Sequence, residues 1–299
     1  MSFLDRIAGA PCTWGVEVSP DWGYRMDRDR VLSEMAEVGL AATELGPEGF
    51  LPNDVVALRS LLTRYRLDLV GGFVPVVLYR ADDIESQLAS VERAAKTMAG
   101  VGASIMILGP DSHHPGHDDR IEMEESEWDV FLPGLERTVE IADRYGLVTA
   151  LHPHWGMAIE RRHHIERILD QTDVALCIDT GHLALAGIDP VEMVELAAGR
   201  VAHVHLKEVD PHFARLVRDG ELKFHQAVLA GLFAPLGGGG GADIKGVIGA
   251  LEAAGYAGWY VLEQDVALDG EPEPGAGPVH DAMASFAYLK GLADEQRGG

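Results

Sequence analysis

The chain has 299 residues, of which 24 are Lys or Arg and 48 are Asp or Glu, so its formal net charge at pH 7 is −24. Hydrophobic residues make up 47% of the chain, enough to bury a large core, which excludes a disordered or fibrous protein. The acidity argues against partners such as nucleic acids and anionic membrane surfaces, because binding to either needs clustered Lys and Arg.

The sequence also carries features that bear on its location. It has no run of about 18 apolar residues that would span a membrane. Residues 1–9 lack the apolar core of a signal peptide. The two cysteines, Cys12 and Cys177, lie in apolar runs and are interpreted as buried thiols, not as a disulfide framework. We therefore expect a cytoplasmic protein.

Short apolar runs alternate with longer amphipathic stretches along the chain. The apolar runs predict eight strands, at 9–12, 42–45, 69–73, 104–108, 148–152, 175–179, 201–206 and 259–263. The stretches between them predict helices at 29–38, 53–65, 85–101, 128–145, 159–170, 190–198 and 244–254, with a last helix near 280–289. Four of the helices end at a glycine suited to left-handed backbone: Gly39, Gly102, Gly146 and Gly255. Eight strand–helix repeats predict an α/β fold, a parallel (β/α)₈ TIM barrel that forms a single domain over residues 1–299.

A doubly wound open sheet is the alternative fold. Such a sheet usually carries a glycine-rich phosphate loop after its first strand, and here that strand is followed by Cys12-Thr13-Trp14-Gly15. Two segments break the repeat. Residues 209–243, which end in five consecutive glycines at 237–241, are interpreted as a flexible or irregular loop, since the spacing fits no phosphate-binding motif. The acidic, Pro- and Gly-rich residues 265–277 predict a loop over the barrel mouth.

Histidines and carboxylates gather at the carboxyl ends of the predicted strands, where TIM barrels carry their active sites. They are Glu44, His152, His154, Asp179, His182, His203, His205, Lys207 and Glu263. Such groups repel one another or are costly to bury in a shared, partly dry mouth unless a cation neutralises them. The mixture of nitrogen and oxygen ligands suits Mn²⁺, Co²⁺, Fe²⁺ or Zn²⁺. Strand alternation predicts that His203 and His205 both face the interior, and that Lys207 faces away unless the strand has already ended.

Other histidines fall outside this pattern. His113, His114 and His117 follow the fourth strand, and the Pro, Gly and Asp residues around them favour a solvated loop over a second metal site. His163 and His164 lie in a helical pattern beside two arginines and are predicted to lie on the surface.

Short motifs at the strand ends extend from the first strand to the eighth. They are Ala10-Pro11-Cys12-Thr13-Trp14-Gly15, Glu44-Leu45-Gly46, Gly71-Gly72-Phe73, His152-Pro153-His154, Asp179-Thr180-Gly181-His182, His203-Val204-His205-Leu206-Lys207, Gly255-Tyr256-Ala257-Gly258-Trp259 and Glu263-Gln264-Asp265. In these motifs the chain resembles the sugar phosphate isomerase/epimerase superfamily of xylose isomerase-like barrels. Within it, the sequence is most similar to the inosose dehydratases of inositol catabolism.

The resemblance implies a divalent metal, Mn²⁺ or Co²⁺ first, with Zn²⁺, Fe²⁺ or Mg²⁺ as alternatives. Asp179, His205 and Glu263 match three of the family's ligand positions. On the fifth strand, where many relatives have Glu, this chain has His152. We expect His152 to take that ligand position and His154 to face the substrate beyond a bend at Pro153. The alternatives are that His154 is the ligand or that water takes the place.

The resemblance also implies a reaction on a ketone-bearing sugar or cyclic polyol. A base removes the proton next to the ketone to form an enolate, and an acid protonates the neighbouring hydroxyl, which leaves as water. Candidate acids and bases are Glu263, Lys207, His182 and His154. Candidate substrate-binding residues are Trp14, Glu44, Phe73, Trp155 and His182.

Other activities share this framework. A ketose epimerase or isomerase, or an enzyme that cleaves 3-keto-glycosides, would use nearly the same residues. An endonuclease-like phosphodiesterase is disfavoured by the charge of −24, and a non-catalytic sugar-binding protein is the remaining alternative. The sequence leaves the oligomeric state open and allows a homo-oligomer.

Overall fold

The computed structural model describes residues 3–17, 22–197 and 199–298. Its main sheet consists of parallel strands in the spatial order β3-β2-β1-β11-β8-β7-β6-β5-β4, and β9 pairs antiparallel with β10. The strands are β1 (Ile7–Gly9), β2 (Ala42–Thr43), β3 (Asp68–Leu69), β4 (Gly71–Val76), β5 (Ile105–Pro110), β6 (Val148–Leu151), β7 (Ala175–Asp179), β8 (Val201–Leu206), β9 (Glu208–Val209), β10 (Phe233–Ala234) and β11 (Tyr260–Leu262).

The sheet closes through Val70, which separates β3 from β4. The Val70 amide donates to the Thr43 carbonyl on one side at 3.0 Å, and the Val70 carbonyl accepts from the Ile105 amide on the other side at 3.3 Å. The two short strands are therefore halves of one barrel strand, and eight parallel strands surround the interior. This confirms the (β/α)₈ barrel and excludes the open sheet.

The helices are α1 (Arg28–Val38), α2 (Val55–Tyr65), α3 (Ile84–Val101), α4 (Glu125–Arg144), α5 (Arg162–Gln171), α6 (Thr180–Leu185), α7 (Pro190–Ala197), α8 (Pro211–Arg218), α9 (Phe224–Leu229), α10 (Ile244–Ala253) and α11 (Pro278–Gly298). Short 3₁₀ helices span Phe3–Arg6 and Pro11–Trp14. The four predicted glycines all have positive φ, including 94° at Gly39 and 93° at Gly102. Within the described residues, no helix is both long and apolar enough to cross a membrane.

Below the carboxyl ends of the strands, the barrel interior is filled by small and branched apolar side chains. Ala8, Ala42 and Val261 pack together on one side, and Ile107, Ala150 and Cys177 pack on the other. The strand register puts these residues on the same face as His205, which pairs with Val261. The polar side chains therefore form a layer above an apolar floor, at the carboxyl end of the barrel.

Residues 209–243 differ from the irregular loop that their composition predicts. They fold into α8, α9 and the β9–β10 pair, and Val217, Phe224 and Phe233 form part of a separate small core with Leu185. Helix α8 begins with an Asp–Pro pair, in which the Asp210 side chain accepts from two helix amides. The Asp–Pro pair is a helix start signal that can be seen in the sequence. The helices that follow are short and the glycine run is typical of a loop, so the sequence pattern does not predict helices in this segment.

The glycine run does have a binding role, although not for a phosphate. The Glu208 carboxylate accepts hydrogen bonds from the amides of Val209 at 3.1 Å and Ala242 at 3.0 Å. A Cβ atom on Gly240 would collide with the same carboxylate. The run therefore wraps a buried side chain of its own protein. Residues 265–277 form the irregular loop that was predicted.

Candidate metal and active site

A cavity of about 270 Å³ opens at the carboxyl end of the barrel. Its inner end is bordered by His152, His205 and Glu263. Its walls include Phe73 and two aromatic residues from segments outside the barrel, Trp22 and Phe224. Five of the predicted strand-end residues thus meet at one cavity: Glu44, His152, His154, His205 and Glu263.

Four side chains each bring one potential ligand atom to the inner end of this cavity. His205 Nδ1 lies 2.9 Å from Glu263 Oε2, 3.2 Å from His152 Nε2 and 3.5 Å from Asp179 Oδ2. His152 Nε2 also lies 3.5 Å from Asp179 Oδ2. Ligand atoms held at about 2.0–2.2 Å from one ion lie roughly 2.8–3.6 Å apart. The four distances lie within this range, and Asp179, His205 and Glu263 are mutually close enough to share one ion.

The polar atoms of this cluster can also accommodate a cation beside the Lys207 ammonium, which lies 3.5 Å from Asp179 Oδ2. Asp179 Oδ2 is buried and has no hydrogen-bond partner among the described residues. Its other oxygen, Oδ1, caps α6 by accepting from the His182 amide at 2.8 Å. Because a buried carboxylate oxygen is costly to leave unpaired, the donor set fits a divalent ion with two nitrogen and two oxygen ligands.

Glu44 lies beside His205, at the end of β2. Its Oε1 atom accepts from His203 Nε2 at 2.7 Å and from His205 Nε2 at 2.9 Å. Burial favours the neutral acid, but the two imidazoles outweigh it and hold the pKa of Glu44 at about 2. The carboxylate is therefore charged, and it borders the cavity with one oxygen already shared by two donors.

Lys207 points into the barrel because β8 has ended one residue earlier. Thr180 fixes this turn, since its Oγ1 donates to the Lys207 carbonyl at 2.7 Å and accepts from the Lys207 amide at 2.8 Å. Lys207 Nζ donates to Glu263 Oε1 at 2.6 Å and Asp265 Oδ2 at 3.0 Å. Burial opposes the charge, but the surrounding carboxylates, first among them Asp179, raise the pKa of Lys207 well above its usual value. Lys207 is thus a fixed cation.

Lys207 and His182 do not border the cavity, in contrast to their predicted catalytic and substrate-binding roles. Lys207 is 0% exposed, and His182 is 1% exposed. Lys207 Nζ donates to His182 Nε2 at 3.1 Å, and the His182 ring lies 3.6 Å from the ring of His154. Both residues form a layer behind the side chains that a substrate could contact.

His154 does border the cavity, and its hydrogen bonding defines its tautomer. Its Nδ1 lies 2.7 Å from the Trp155 carbonyl, which can only accept, so Nδ1 carries the proton and Nε2 carries a lone pair. Burial, followed by the nearby His182, lowers the pKa of His154 well below its usual value. His154 is therefore a neutral imidazole. His152 differs in its contacts, because its Nε2 faces Asp179 and His205.

Two predicted substrate-binding tryptophans lie elsewhere, so that part of the prediction is wrong. Trp14 is completely buried in the main core and donates through Nε1 to Glu34 at 2.9 Å. Trp155 is 2% exposed and packs under the guanidinium of Arg120 at 4.2 Å. Side-chain direction after a strand end depends on the local turn, which the sequence pattern does not specify.

Trp22 and Phe224, which the sequence did not reveal, take the place of these tryptophans. Trp22 stacks on the ring of His225 at 4.9 Å and packs against Phe224 at 5.7 Å. Both residues come from segments without clear helix or strand periodicity. Phe73 borders the cavity as predicted and meets the edge of His152 at 5.8 Å.

The remaining histidines correct two predictions. His114 and His117 line the cavity and do not belong to a purely solvated loop. Burial lowers the pKa of His117 to about 4. His163 is exposed as predicted, but His164 is completely buried, where its Nδ1 accepts from backbone amides at the start of α5. His113 contacts Tyr79 and Arg80.

Comparison with known proteins agrees with this architecture. Residues 32–287 match the sequence model of the family described as xylose isomerase-like TIM barrel. The chain belongs to this family. It is 32% identical over 271 residues to an inosose dehydratase from Geobacillus kaustophilus, with 87% of each chain covered.

Solved structures with the same fold have lower sequence identity. An L-ribulose 3-epimerase structure superposes with a TM-score of 0.72 at 15% identity, covering 98% of this chain and 95% of the other. A structure of IOLI protein with a bound zinc atom superposes with a TM-score of 0.69 at 15% identity, covering 97% and 98%.

Proposed function

We propose that this protein is a divalent-metal-dependent lyase that removes water from a keto-polyol, with 2-keto-myo-inositol (inosose) as the leading substrate in inositol catabolism. The observation that carries the proposal is the four-atom cluster of His152, Asp179, His205 and Glu263 beside the neutral base His154. The relationship to an inosose dehydratase supports the choice of substrate.

The cluster's residues would hold the metal, with Mn²⁺ or Co²⁺ as the first choice for two nitrogen and two oxygen ligands. Zn²⁺, Fe²⁺ and Mg²⁺ are the alternatives, and the zinc in the IOLI structure supports a divalent ion of this class. When bound, the ion supplies Lewis acidity that polarises the substrate ketone and makes the neighbouring C–H group more acidic.

His154 is the base in this proposal. The Trp155 carbonyl holds the proton on Nδ1, so Nε2 is the nitrogen free to accept a proton from the carbon next to the ketone. The low pKa of the imidazole keeps it unprotonated near neutral pH. Glu263 is the weaker candidate, because Lys207 and His205 already occupy both of its oxygens.

Glu17 is the group that we assign to donate a proton to the leaving hydroxyl. It borders the cavity, and its Oε1 is buried without a hydrogen-bond partner among the described residues. Burial, together with the charge of Asp265, raises the pKa of Glu17 well above its usual value, so this carboxyl retains its proton. The sequence did not single out this residue.

The charge of the cavity wall supports an uncharged substrate. Among the described residues that line it, none is Lys or Arg, and four are acidic besides the protonated Glu17: Glu44, Asp111, Glu263 and Asp265. A sugar phosphate or a phosphodiester would face these carboxylates without a compensating cation from the wall. The apolar faces of Trp22, Phe73 and Phe224 suit the C–H face of a polyol ring.

Epimerisation of a ketose is the second candidate, supported by the fold shared with an L-ribulose 3-epimerase. It begins with the same proton removal and differs in returning a proton to the same carbon. Both reactions use the same base, so the product must decide between them.

Incubation with 2-keto-myo-inositol and ketohexoses in D₂O, with Mn²⁺ or Co²⁺ bound in a measured ratio, tests the proposal. Dehydration gives an unsaturated product that absorbs in the ultraviolet and has lost the mass of water. Epimerisation gives a product of unchanged mass apart from deuterium. If the loaded protein exchanges no proton of any keto-polyol, the enzyme proposal is wrong and a sugar-binding role replaces it.

The proposal also includes a cytoplasmic location and leaves room for a homo-oligomer. Cys12 and Cys177 are both free thiols, which suits a reducing compartment. Fractionation of cells and light scattering of the purified protein test these two points.

A further inference from the structure

We propose that Glu44 is a positioning residue that holds the His205 ring with Nδ1 turned toward the candidate metal ligands, and that His203 holds Glu44 in place. The inference rests on the metal centre proposed above. It assigns Glu44 a role different from the substrate contact predicted from the sequence, and it gives His203 a function.

The geometry of the three side chains carries the inference. A single oxygen, Glu44 Oε1, lies 2.7 Å from His203 Nε2 and 2.9 Å from His205 Nε2. The three residues are between 0% and 4% exposed, so water does not replace these contacts. The two histidines lie two residues apart in β8 and therefore project to the same side of the sheet.

Hydrogen-bond direction then fixes the orientation of the His205 ring. A carboxylate can only accept, so each Nε2 atom that contacts Glu44 carries a hydrogen. The other ring nitrogen of His205, Nδ1, is thereby turned away from Glu44. That atom of His205 faces Glu263 Oε2 at 2.9 Å and His152 Nε2 at 3.2 Å, in the middle of the candidate ligand set. A carboxylate behind a ligating imidazole both orients the ring and increases its basicity.

Glu44 is itself held from several directions. Its amide donates to the Gly9 carbonyl at 3.1 Å, and its carbonyl accepts from Thr43 Oγ1 at 2.9 Å. His203 has no other described partner for its ring, because its Nδ1 is buried and unpaired. The hydrogen bond to Glu44 is therefore the contact that explains an imidazole at this depth.

His152 lacks a comparable support. Its Nδ1 is buried without a partner among the described residues, so no described contact equivalent to Glu44 fixes the orientation of its ring. The two imidazoles of the cluster are thus held unequally.

The first experiment measures the histidine tautomers by long-range ¹H–¹⁵N NMR in the metal-free protein. We expect His205 to be protonated at Nε2 in the wild type and in the exposed control Glu48→Gln. In Glu44→Ala we expect the His205 Nε2 proton to lose its hydrogen bond to the carboxylate and to exchange faster with solvent. An unchanged His205 Nε2 proton signal in Glu44→Ala would overturn the proposal, whether or not the protein is a dehydratase.

The second experiment measures Co²⁺ affinity from the visible absorption of the bound ion. Loss of a carboxylate behind a ligating histidine typically weakens metal binding about 10- to 100-fold, so we expect this change for Glu44→Ala. Glu44→Gln retains an acceptor of the same shape and should recover part of the affinity. If Glu44→Ala fails to fold, the Co²⁺ affinity of Glu44→Gln is compared with that of the wild type instead.

Steady-state kinetics at saturating Co²⁺ separate positioning from substrate binding. A positioning residue leaves KM nearly unchanged once the ion is bound, whereas a lost substrate contact raises KM. Unchanged Co²⁺ affinity with a raised KM in Glu44→Gln would show that Glu44 binds substrate. If the wild type binds no divalent ion, the metal centre itself is refuted, and the tautomer experiment still judges the Glu44–His205 contact.

Discussion

The four candidate ligands differ in how firmly the surrounding protein holds each one. Asp179 is fixed by its cap on α6. Glu263 receives a hydrogen bond from the buried ammonium of Lys207 at 2.6 Å, and His205 is backed by Glu44. The ring of His152 has no such partner on its outer nitrogen within the part of the chain that the structure describes. We therefore expect single substitutions of the four candidate ligands to reduce metal affinity by different amounts.

Replacing Asp179 by Asn tests the charge at the centre of the cluster. The amide can still cap α6, but it removes the negative charge and the free oxygen. We expect metal occupancy and activity to fall together by at least about tenfold, measured by metal analysis after dialysis and by product formation. The exposed Asp170→Asn is the matched control in the same charge class. Full occupancy in Asp179→Asn would exclude Asp179 as a ligand.

The two histidines that follow β6 should separate metal binding from proton transfer. We expect His152→Ala to lose metal affinity, and His154→Ala to retain the metal while losing exchange of the substrate's α-proton. The reason is that His152 Nε2 faces the cluster, whereas His154 Nε2 is the free base. Metal affinity, by titration, and deuterium exchange of the substrate's α-proton are measured for both variants. The reverse pattern, with metal affinity lost only in His154→Ala, would show that His154 is the ligand and that the assignment of His152 is wrong.

At the scale of elements, the segment between β8 and α10 shows how local chemistry shapes the cavity. Helix α9 supplies Phe224 to the cavity wall, and the glycine run that follows β10 encloses Glu208. Burial raises the pKa of this carboxyl, although backbone amides oppose the shift. The segment is therefore an ordered part of the site, with its own small core.

A pair of glycine substitutions tests this ordering. Gly240→Ala forces a Cβ atom into the Glu208 carboxylate, and we expect a loss of about 1–3 kcal/mol in the free energy of unfolding. Gly238 has ordinary φ, and a Cβ atom there would make only an ordinary contact with the Pro235 carbonyl at 3.7 Å, so Gly238→Ala is the matched control and should be nearly neutral. Thermal unfolding compares the two. Equal unfolding temperatures for the two variants would mean that Gly240 does not pack against the Glu208 carboxylate as described.

The sequence predicted the barrel well because the strand–helix repeat is regular and because parallel strands bring their carboxyl ends together. Asp179, His205 and Glu263 could be placed at one site on that argument alone. The division of the third strand at Val70 depends on pairing with two different neighbours, which no local pattern encodes. The contact between Glu44 and His203 joins residues 159 positions apart and is likewise a product of barrel closure.

For the whole molecule, buried neutral imidazoles imply sensitivity to acid. Burial lowers the pKa values of His117, His154, His164, His182 and His203. A histidine with a lowered pKa in the folded state contributes stability above its unfolded value, and this stability is lost as the pH falls toward the folded value. The relevant window therefore runs from about pH 6.5 down to about pH 4 for His117.

His117→Phe should reduce this acid sensitivity. Phe fills the same aromatic environment beside Phe224 but carries no titrating group. At pH 5 we expect the variant to recover on the order of 1–2 kcal/mol of unfolding free energy relative to the wild type, compared with the difference at pH 7.5. Denaturant unfolding at the two pH values measures it. A difference between the proteins that does not change with pH would contradict the lowered pKa of His117.

The ammonium of Lys207 bears on whether the fold depends on a bound metal ion. Lys207 Nζ lies within hydrogen-bond distance of Glu263 and Asp265, so these two carboxylates have a positively charged partner without any ion. In small zinc domains the fold collapses when the metal is withdrawn, since nothing else compensates the ligands. Here a resident counter-charge on the chain itself supports part of the ligand set. We therefore expect the barrel to fold without a bound metal ion.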